Sequence, residues 1–163
     1  MTSQYRPTKF TWSNADFDQM NWYAVDVHAF ALAVPGWETM ELLLDVDYIT
    51  EWTQTDSTES LSGCWVAPAT LSFESVSGLE MNLKKPLHNP YSLDAIQRSD
   101  EVLPSGNITW VLDFGKEGSI HFYAKRFRMY IRTYPSYTNT EGPNFTKRTK
   151  FSFDKVTPES EAF

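Results

Sequence analysis

Residues 40–52 read Met-Glu-Leu-Leu-Leu-Asp-Val-Asp-Tyr-Ile-Thr-Glu-Trp, and their alternation decides the fold class. The odd positions are mixed in character, whereas the even positions are mostly apolar: Met40, Leu42, Leu44, Val46, Tyr48 and Trp52. Because successive side chains of a β-strand point to opposite faces, this pattern predicts a strand with one buried face. No stretch keeps apolar residues at helical spacing for three turns with caps at both ends. The sequence therefore predicts a mainly β protein.

The same alternation recurs along the rest of the chain, with loop signals such as Pro35-Gly36 and Gly115–Gly118 between the strands. The further predicted elements are strands at Trp22–Val34, Trp65–Phe73, Leu79–Leu83, Ile108–Phe114, from Ser119 onward and at Phe145–Val156, one short strand or turn around Ser92–Arg98, and a loop over Tyr134–Asn144. We expect about eight strands in one antiparallel β-sandwich or partly open β-barrel. This single β-rich domain spans residues 1–163, with frayed ends at 1–9 and 157–163.

One predicted strand carries a fault in its alternation. Its apolar positions are even from Ile120 to Ala124 and odd from Phe127 to Ile131. A single inserted residue would restore a common face, so we predict a β-bulge near Lys125-Arg126.

The charge of the 163-residue chain is acidic overall and unevenly spread. It holds 14 basic and 21 acidic side chains, a net charge of −7. Residues 1–124 carry 6 basic and 17 acidic side chains (net −11), residues 125–150 carry 7 and 1 (net +6), and residues 151–163 carry 1 and 3 (net −2). The acidic total argues against nucleic-acid binding. The basic segment either pairs with acidic strands of the same sheet or forms a patch for an anionic partner.

Several classes of protein are excluded by what the sequence lacks. Cys64 is the single cysteine, so an internal disulfide and a four-cysteine zinc site are ruled out. The opening MTSQYRPTKF is unlike a signal peptide, and no apolar run is long enough for a membrane helix. We therefore expect a cytoplasmic protein that does not bind membranes. Neither a Gly-x-Ser-x-Gly elbow nor a Gly-x-Gly-x-x-Gly run occurs, and we expect no catalytic residue and no cofactor.

The first candidate site combines Asp26-x-His28 with Asp45-x-Asp47. Residues two apart on a strand share a face, so a hairpin turning near residues 35–39 would bring the two pairs together. Three carboxylates and an imidazole could then bind a ligand, hold a divalent cation or share a proton. The alternative is a polar sheet face in which His28 bonds to a carboxylate.

The second candidate site is the stripe Arg126, Arg128, Tyr130 and Arg132. Its even spacing places all four side chains on one face of a strand. Guanidinium groups beside an aromatic ring suit a phosphate, a carboxylate or an acidic protein surface.

Two blocks, Glu41–Trp52 and Cys64–Glu74, contain Leu-Leu-Asp-Val-Asp-Tyr-Ile and Trp-Val-Ala-Pro-Ala-Thr-Leu. They resemble a group of small uncharacterised bacterial proteins that carry similar blocks after a Trp-rich leading strand. In that group the leading strand often reads Trp-His-Asp, where this chain has Trp22-Tyr23-Ala24. The resemblance implies no activity and no catalytic residues. The size, acidity and β-rich pattern are also similar to immunity proteins of bacterial toxin systems.

Two functions are therefore expected as alternatives. The first is a non-enzymatic, immunity-like module that binds another protein, of basic character, through an acidic face bearing aromatic side chains. The second is a small ligand- or metal-binding β-protein, or a hydrolase, that uses the Asp/His pairs. Either could be a monomer or a homodimer, because an aromatic-rich sheet has edge strands that can pair.

Overall fold

The computed structural model describes residues 7–37, 39–54, 61–84, 90–139 and 150–160. The strands in these ranges are β1 (Thr11–Ser13), β2 (Val25–Gly36), β3 (Thr39–Gln54), β4 (Leu61–Glu74), β5 (Ser77–Leu83), β6 (Tyr91–Leu93), β7 (Ala95–Val102), β8 (Ile108–Asp113), β9 (Gly118–Ala124), β10 (Arg126–Ile131) and β11 (Ser136–Asn139). Single-turn 3₁₀ helices lie at Phe17–Gln19 and Gly115–Glu117. No helix in the described ranges is long and apolar enough to cross a membrane. The prediction of a mainly β protein is confirmed.

The strands form two antiparallel sheets. In the large sheet the order is β1-β10-β4-β3-β2-β6, and β11 also pairs with β4, next to the part of β4 that pairs with β10. The small sheet has the order β5-β9-β8-β7. The large sheet curls into a half-barrel, and one of its faces shares a hydrophobic core with the small sheet. This arrangement confirms the predicted sandwich or partly open barrel.

Strand β3 lies at the centre of the large sheet and shows why the alternation was informative. Its even positions Leu42, Leu44 and Val46 are fully buried in the core. Leu44 has Phe30 opposite it in β2 and Leu71 opposite it in β4. The apolar side chains of three neighbouring strands therefore meet on one face, and burial of that face stabilises the sheet.

Aromatic rings fill the space between the two sheets. The Phe73 ring of β4 lies 5.2 Å from the Trp110 ring and 4.8 Å from the Phe122 ring, centroid to centroid. Phe127 of β10 closes the cluster at 5.6 Å from Phe73. Most of these contacts are edge-to-face or tilted, the arrangements that aromatic pairs prefer.

The predicted β-bulge near Lys125-Arg126 is wrong, because the chain changes sheet at this point. Strand β9 pairs within the small sheet and β10 within the large sheet. The Lys125 N–H donates to the Glu74 carbonyl at 3.0 Å, beside the place where the chain passes from β4 to β5. Two sheets that enclose one core approach it from opposite sides. The change of parity therefore keeps the apolar side chains of both strands in the same core.

Two further element predictions differ from the structure. Strand β11 lies inside the predicted loop Tyr134–Asn144, because β4 extends past β10 and its edge there pairs with residues 136–139. Around Ser92–Arg98 there are two strands, β6 and β7, in different sheets, where one short strand or turn was expected. Residues 140–144 of the predicted loop lie outside the described residues.

The predicted last strand, Phe145–Val156, is also not found where the structure describes it. Residues 150–156 have no strand assignment, because their main-chain groups bond to side chains of the large sheet. Residues 145–149 lie outside the described residues. The same holds for 1–6 and 161–163 of the ends predicted to fray, whereas Thr157 and Ser160 form a hydrogen-bonded turn.

Candidate functional site

The face of the large sheet that points away from the small sheet carries the candidate polar residues, and we call it the outer face. Asp45 and Asp47 are odd positions of β3, opposite in parity to the core residues, and therefore share this face. Both side chains are nevertheless buried, with exposed fractions of 0% and 3%. Each carboxylate therefore needs partners that replace water.

Asp47 lies in a cluster with Asp26 and His28. The β2–β3 hairpin places Asp26 directly opposite Asp47. His28 is an extra residue between Val27 and Ala29 where the register shifts, and its Nε2 lies 2.7 Å from Asp47 Oδ2. The structure thus brings together three of the four residues of the first candidate site.

The environment of Asp26 favours its protonated form. Burial raises the pKa of Asp26 to about 6, and the neighbouring Asp47 carboxylate acts in the same direction. The charge of His28 and a hydrogen bond with Ser92 oppose this rise in pKa. Asp26 therefore changes its charge close to neutral pH, which a surface aspartate does not do.

A dependence of stability on pH follows from this raised pKa. In the unfolded chain the pKa of Asp26 is near 3.8, so the folded state holds the Asp26 proton more tightly. Stability therefore decreases as pH rises from about 4 to about 6. Asp26→Asn removes the ionisation. We expect this variant to be about 1–2 kcal/mol more stable than wild type at pH 7, a figure reduced for the partial exposure of Asp26. At about pH 4, where wild-type Asp26 is protonated in the folded protein, the gain is expected to vanish.

Urea unfolding measured across this pH range tests the expectation. Asp100→Asn, at an exposed carboxyl of β7, is the matched control and should shift stability by about 0.5 kcal/mol or less at any pH. A gain from Asp26→Asn that stays constant with pH would contradict the expectation.

Asp45 does not join the cluster, because it binds Arg132 and the C-terminal segment, residues 150–157. Arg132 Nη2 lies 2.7 Å from Asp45 Oδ1, and both side chains are buried. The Ser152 N–H donates to Asp45 Oδ2 at 2.9 Å, while Arg132 Nη1 donates to the Ser152 carbonyl at 3.0 Å. The Asp45–Arg132 ion pair therefore binds both the N–H and the C=O of Ser152.

Further contacts seat the C-terminal segment across the outer face. The Thr70 hydroxyl donates to the Asp154 carbonyl at 2.8 Å and accepts a bond from Arg132 Nη1 at 2.7 Å. Lys155 pairs with Glu41 of β3. This segment helps to exclude water from Asp45, so these polar residues have a structural role in the protein as described.

The second candidate site is not a continuous basic patch. Arg126, Arg128 and Tyr130 occupy one face of β10, as their spacing predicts, but their environments differ. Arg126 Nε lies 3.3 Å from Glu74 Oε2 of the adjacent strand. A hydrogen bond with Tyr130 raises the pKa of the Arg128 guanidinium. Two of the three arginines of the stripe, Arg126 and Arg132, thus pair with acidic side chains of the large sheet, while Lys147 and Arg148 lie outside the described residues.

Metal and thiol chemistry find little support in the geometry. In the ranges that the structure describes, no three His, Cys, Asp or Glu side chains are grouped so that they could hold a metal ion. Cys64 is fully buried in β4, and burial raises the pKa of its thiol. A raised pKa lowers the fraction of thiolate, which is the nucleophilic form.

A small pocket lies where β1 and β3 approach the N-terminal residues. Its volume is about 140 Å³, and its lining residues are Pro7, Thr8, Lys9, Trp12, Gln19, Tyr48 and Thr50. Sites for drug-sized ligands usually measure about 300–1,000 Å³. Lys9, the charged residue of the lining, is paired with Asp16 and lies 5.1 Å from the Trp12 ring centroid. The pocket is therefore small, and the ammonium group of Lys9 in its lining already pairs with Asp16.

Among the residues that the structure describes, the two most exposed large apolar side chains, Trp37 and Val34, lie at the turn end of the β2–β3 hairpin. Residues 29–37 read Ala-Phe-Ala-Leu-Ala-Val-Pro-Gly-Trp and carry no charged or hydrogen-bonding side chain except the Trp37 indole; we call them the apolar arm. Trp37 is 98% exposed, Val34 70% and Leu32 52%. Leu32 lies opposite the core residue Leu42 of β3, yet the core does not extend over it.

The outer edge of the apolar arm also has main-chain groups available for pairing. Strand β6 pairs with β2 over Val25–Val27. In the ranges that the structure describes, no strand pairs with residues 29–36 on this edge. An edge that is long, apolar and uncharged is a template for another strand.

Comparison with protein-family models, with curated proteins and with solved structures finds no match for this chain. The resemblances stated above therefore stay predictions. Sequence reasoning missed the apolar arm, although nine successive residues without charge were visible, because an uncharged strand is normally a buried one.

Proposed function

We propose that the protein is a non-enzymatic protein-binding module and that the apolar arm contacts its partner. The exposure of Trp37, with Val34 and Leu32 beside it, carries this proposal. Contiguous apolar surface on a folded chain marks an interaction site more often than chance, and tryptophan is enriched among the residues that dominate binding energy. The cytoplasmic setting expected from the sequence is proposed with it.

The polar sites favour a binding role over the ligand-binding or hydrolytic alternative. Asp45 and Arg132 are occupied by the main chain of the C-terminal segment, so the four-residue Asp/His site is divided. Asp26, His28 and Asp47 remain together and could bind a cation-bearing ligand, but the pocket described above is lined by other residues. By contrast, the arm residues Leu32, Val34 and Trp37 are exposed and lie outside the core, against which Phe30 at the base of the arm packs.

The charge of the apolar arm bears on the kind of partner that we propose. The net charge of −11 over residues 1–124 was the reason to expect a basic partner that is attracted by charge. The apolar arm carries no charge of its own. We therefore propose that apolar contact and strand pairing select the partner, while charge affects the rate of encounter.

A matched pair of double variants tests the proposal. Val34→Ser/Trp37→Ala removes two side chains of the apolar arm, and Val102→Ser/Tyr123→Ala removes an exposed valine and an exposed aromatic residue from the small sheet. We expect the arm variant to bind the partner at least about 30-fold more weakly than wild type, as loss of a dominant interface residue does. The control variant should bind like wild type.

Binding is measured by calorimetry. The purified partner is either a different protein, captured beforehand on the immobilised chain, or a second copy of the chain, whose dissociation is followed on dilution. Both variants are first checked for wild-type thermal stability. Equal affinity of the arm variant and the control variant would contradict the proposal.

A further inference from the structure

From the apolar arm we infer that the partner is a second copy of this chain, joined through antiparallel pairing of the outer edge of β2 across a two-fold axis near Leu32. This inference rests on the proposed function and names the partner for it. It would extend the large sheet from one copy into the other. Three properties of the apolar arm point to a second copy.

The first property is that the arm is complementary to itself. A two-fold axis at Leu32 would place Phe30 of each copy opposite Val34 of the other, with the two Leu32 side chains facing each other. Phe30 and Leu32 lie opposite the core residues Leu44 and Leu42 of β3, so they share the core-side face of β2. The pairing would therefore make one continuous apolar strip on this face. On the other face the arm presents alanines, so neither face of the paired strands would carry a charged side chain.

The second property is the absence of charge. Each chain has a net charge of −7, so two copies repel each other overall. Residues 29–37 contain no acidic or basic side chain. Edge strands that avoid pairing usually carry lysine or another charge. This edge has none along its length, although Pro35 limits pairing at its end.

The third property is the amount of surface available. A fully exposed tryptophan presents on the order of 250 Å². Trp37, Val34 and Leu32 of two copies could together bury on the order of 1,000 Å², close to the lower limit of roughly 1,200 Å² for specific interfaces. The paired main chain adds to this area. The surface is therefore enough for a dimer whose population depends on concentration, and too small for a permanent one.

Sedimentation equilibrium on the full chain, over about a hundredfold range of concentration, tests the inference. We compare wild type with Leu32→Lys, which puts a charge in the centre of the arm, and with Val102→Lys. Val102 is a matched control because it is 61% exposed and lies on β7, an edge strand of the small sheet. Wild type and Val102→Lys should form dimers as concentration rises, whereas Leu32→Lys should stay monomeric.

A covalent probe reports the geometry directly. Because Cys64 is fully buried, Leu32→Cys would carry the one exposed thiol among the described residues. Opposed cysteines at a two-fold axis can form a disulfide, and we expect oxidised Leu32→Cys to become a covalent dimer while Val102→Cys does not. The Leu32→Cys dimer should keep the wild-type circular dichroism spectrum.

Two results would overturn the inference: a wild type that stays monomeric over the whole range, or dimers that persist equally in Leu32→Lys. Wild type could instead be monomeric and bind a different protein, with Val34→Ser/Trp37→Ala abolishing that binding. In that case the proposed function stands, and the inference that the partner is a second copy is wrong. If changes in the arm alter neither self-association nor binding, both fail.

Discussion

Replacing Arg132 with methionine is expected to lower the free energy of unfolding by about 3–5 kcal/mol. The variant keeps most of the side-chain volume but leaves the Asp45 carboxylate buried without its guanidinium partner. Arg132 also donates to Thr70 and to the Ser152 carbonyl, and these acceptors would lose that donor. A buried charge and acceptors deprived of their donor are among the few causes of destabilisation this large.

Urea unfolding followed by tryptophan fluorescence measures this change. Arg126→Met is the matched control, because Arg126 pairs with Glu74 at an exposed position; its cost should not exceed about 1 kcal/mol. The double variant Asp45→Asn/Arg132→Met removes both charges and should recover part of the lost stability. If Arg132→Met costs no more than Arg126→Met, the Asp45–Arg132 pair does not have the role assigned to it.

Phe73→Ala is expected to lower the free energy of unfolding by a similar amount, about 3–5 kcal/mol. Phe73 is fully buried in β4, and its ring contacts Trp110 and Phe122 of the small sheet and Phe127 of the large sheet. Removing it opens a cavity where the two sheets meet, and the rigid strands around it can close this cavity only in part.

The same unfolding measurement tests this expectation. Phe151→Ala is the control, since it deletes the same atoms from a side chain that is 59% exposed. It should cost about 1 kcal/mol or less. Similar costs for the two variants would show that Phe73 does not lie in the shared core.

Local periodicity was enough to predict the long strands and their buried faces, but it missed β11 and predicted a strand over residues 150–156 that is absent. The alternation of residues 40–52 identified β3, and the parity of Leu42, Leu44 and Val46 identified its core face. It could not say which sheet a strand joins, because the period of two is the same in both sheets. For this reason the change of sheet at Lys125 looked like a bulge within one strand.

The partners of the candidate polar residues depended on contacts between distant parts of the chain. Asp45 and Asp47 share a face, so their spacing gave them a common role. In the structure Asp45 bonds to Arg132, 87 positions away, and to Ser152, 107 positions away. Asp47 bonds to His28, which is itself the extra residue of β2. No local pattern encodes such pairings.

The way in which the C-terminal segment is held has an evolutionary consequence. Asp45 and Arg132 bind the N–H and C=O of Ser152, and Thr70 binds the C=O of Asp154. These are main-chain groups, and every residue type except proline offers both an N–H and a C=O. Among descendants of this chain, these bonds therefore leave the identity of residue 154 free to drift, whereas Ser152 also accepts a bond from the Asp154 N–H through its hydroxyl at 3.2 Å. Asp45, Thr70 and Arg132 contribute side-chain atoms to the same bonds, so selection should keep them fixed.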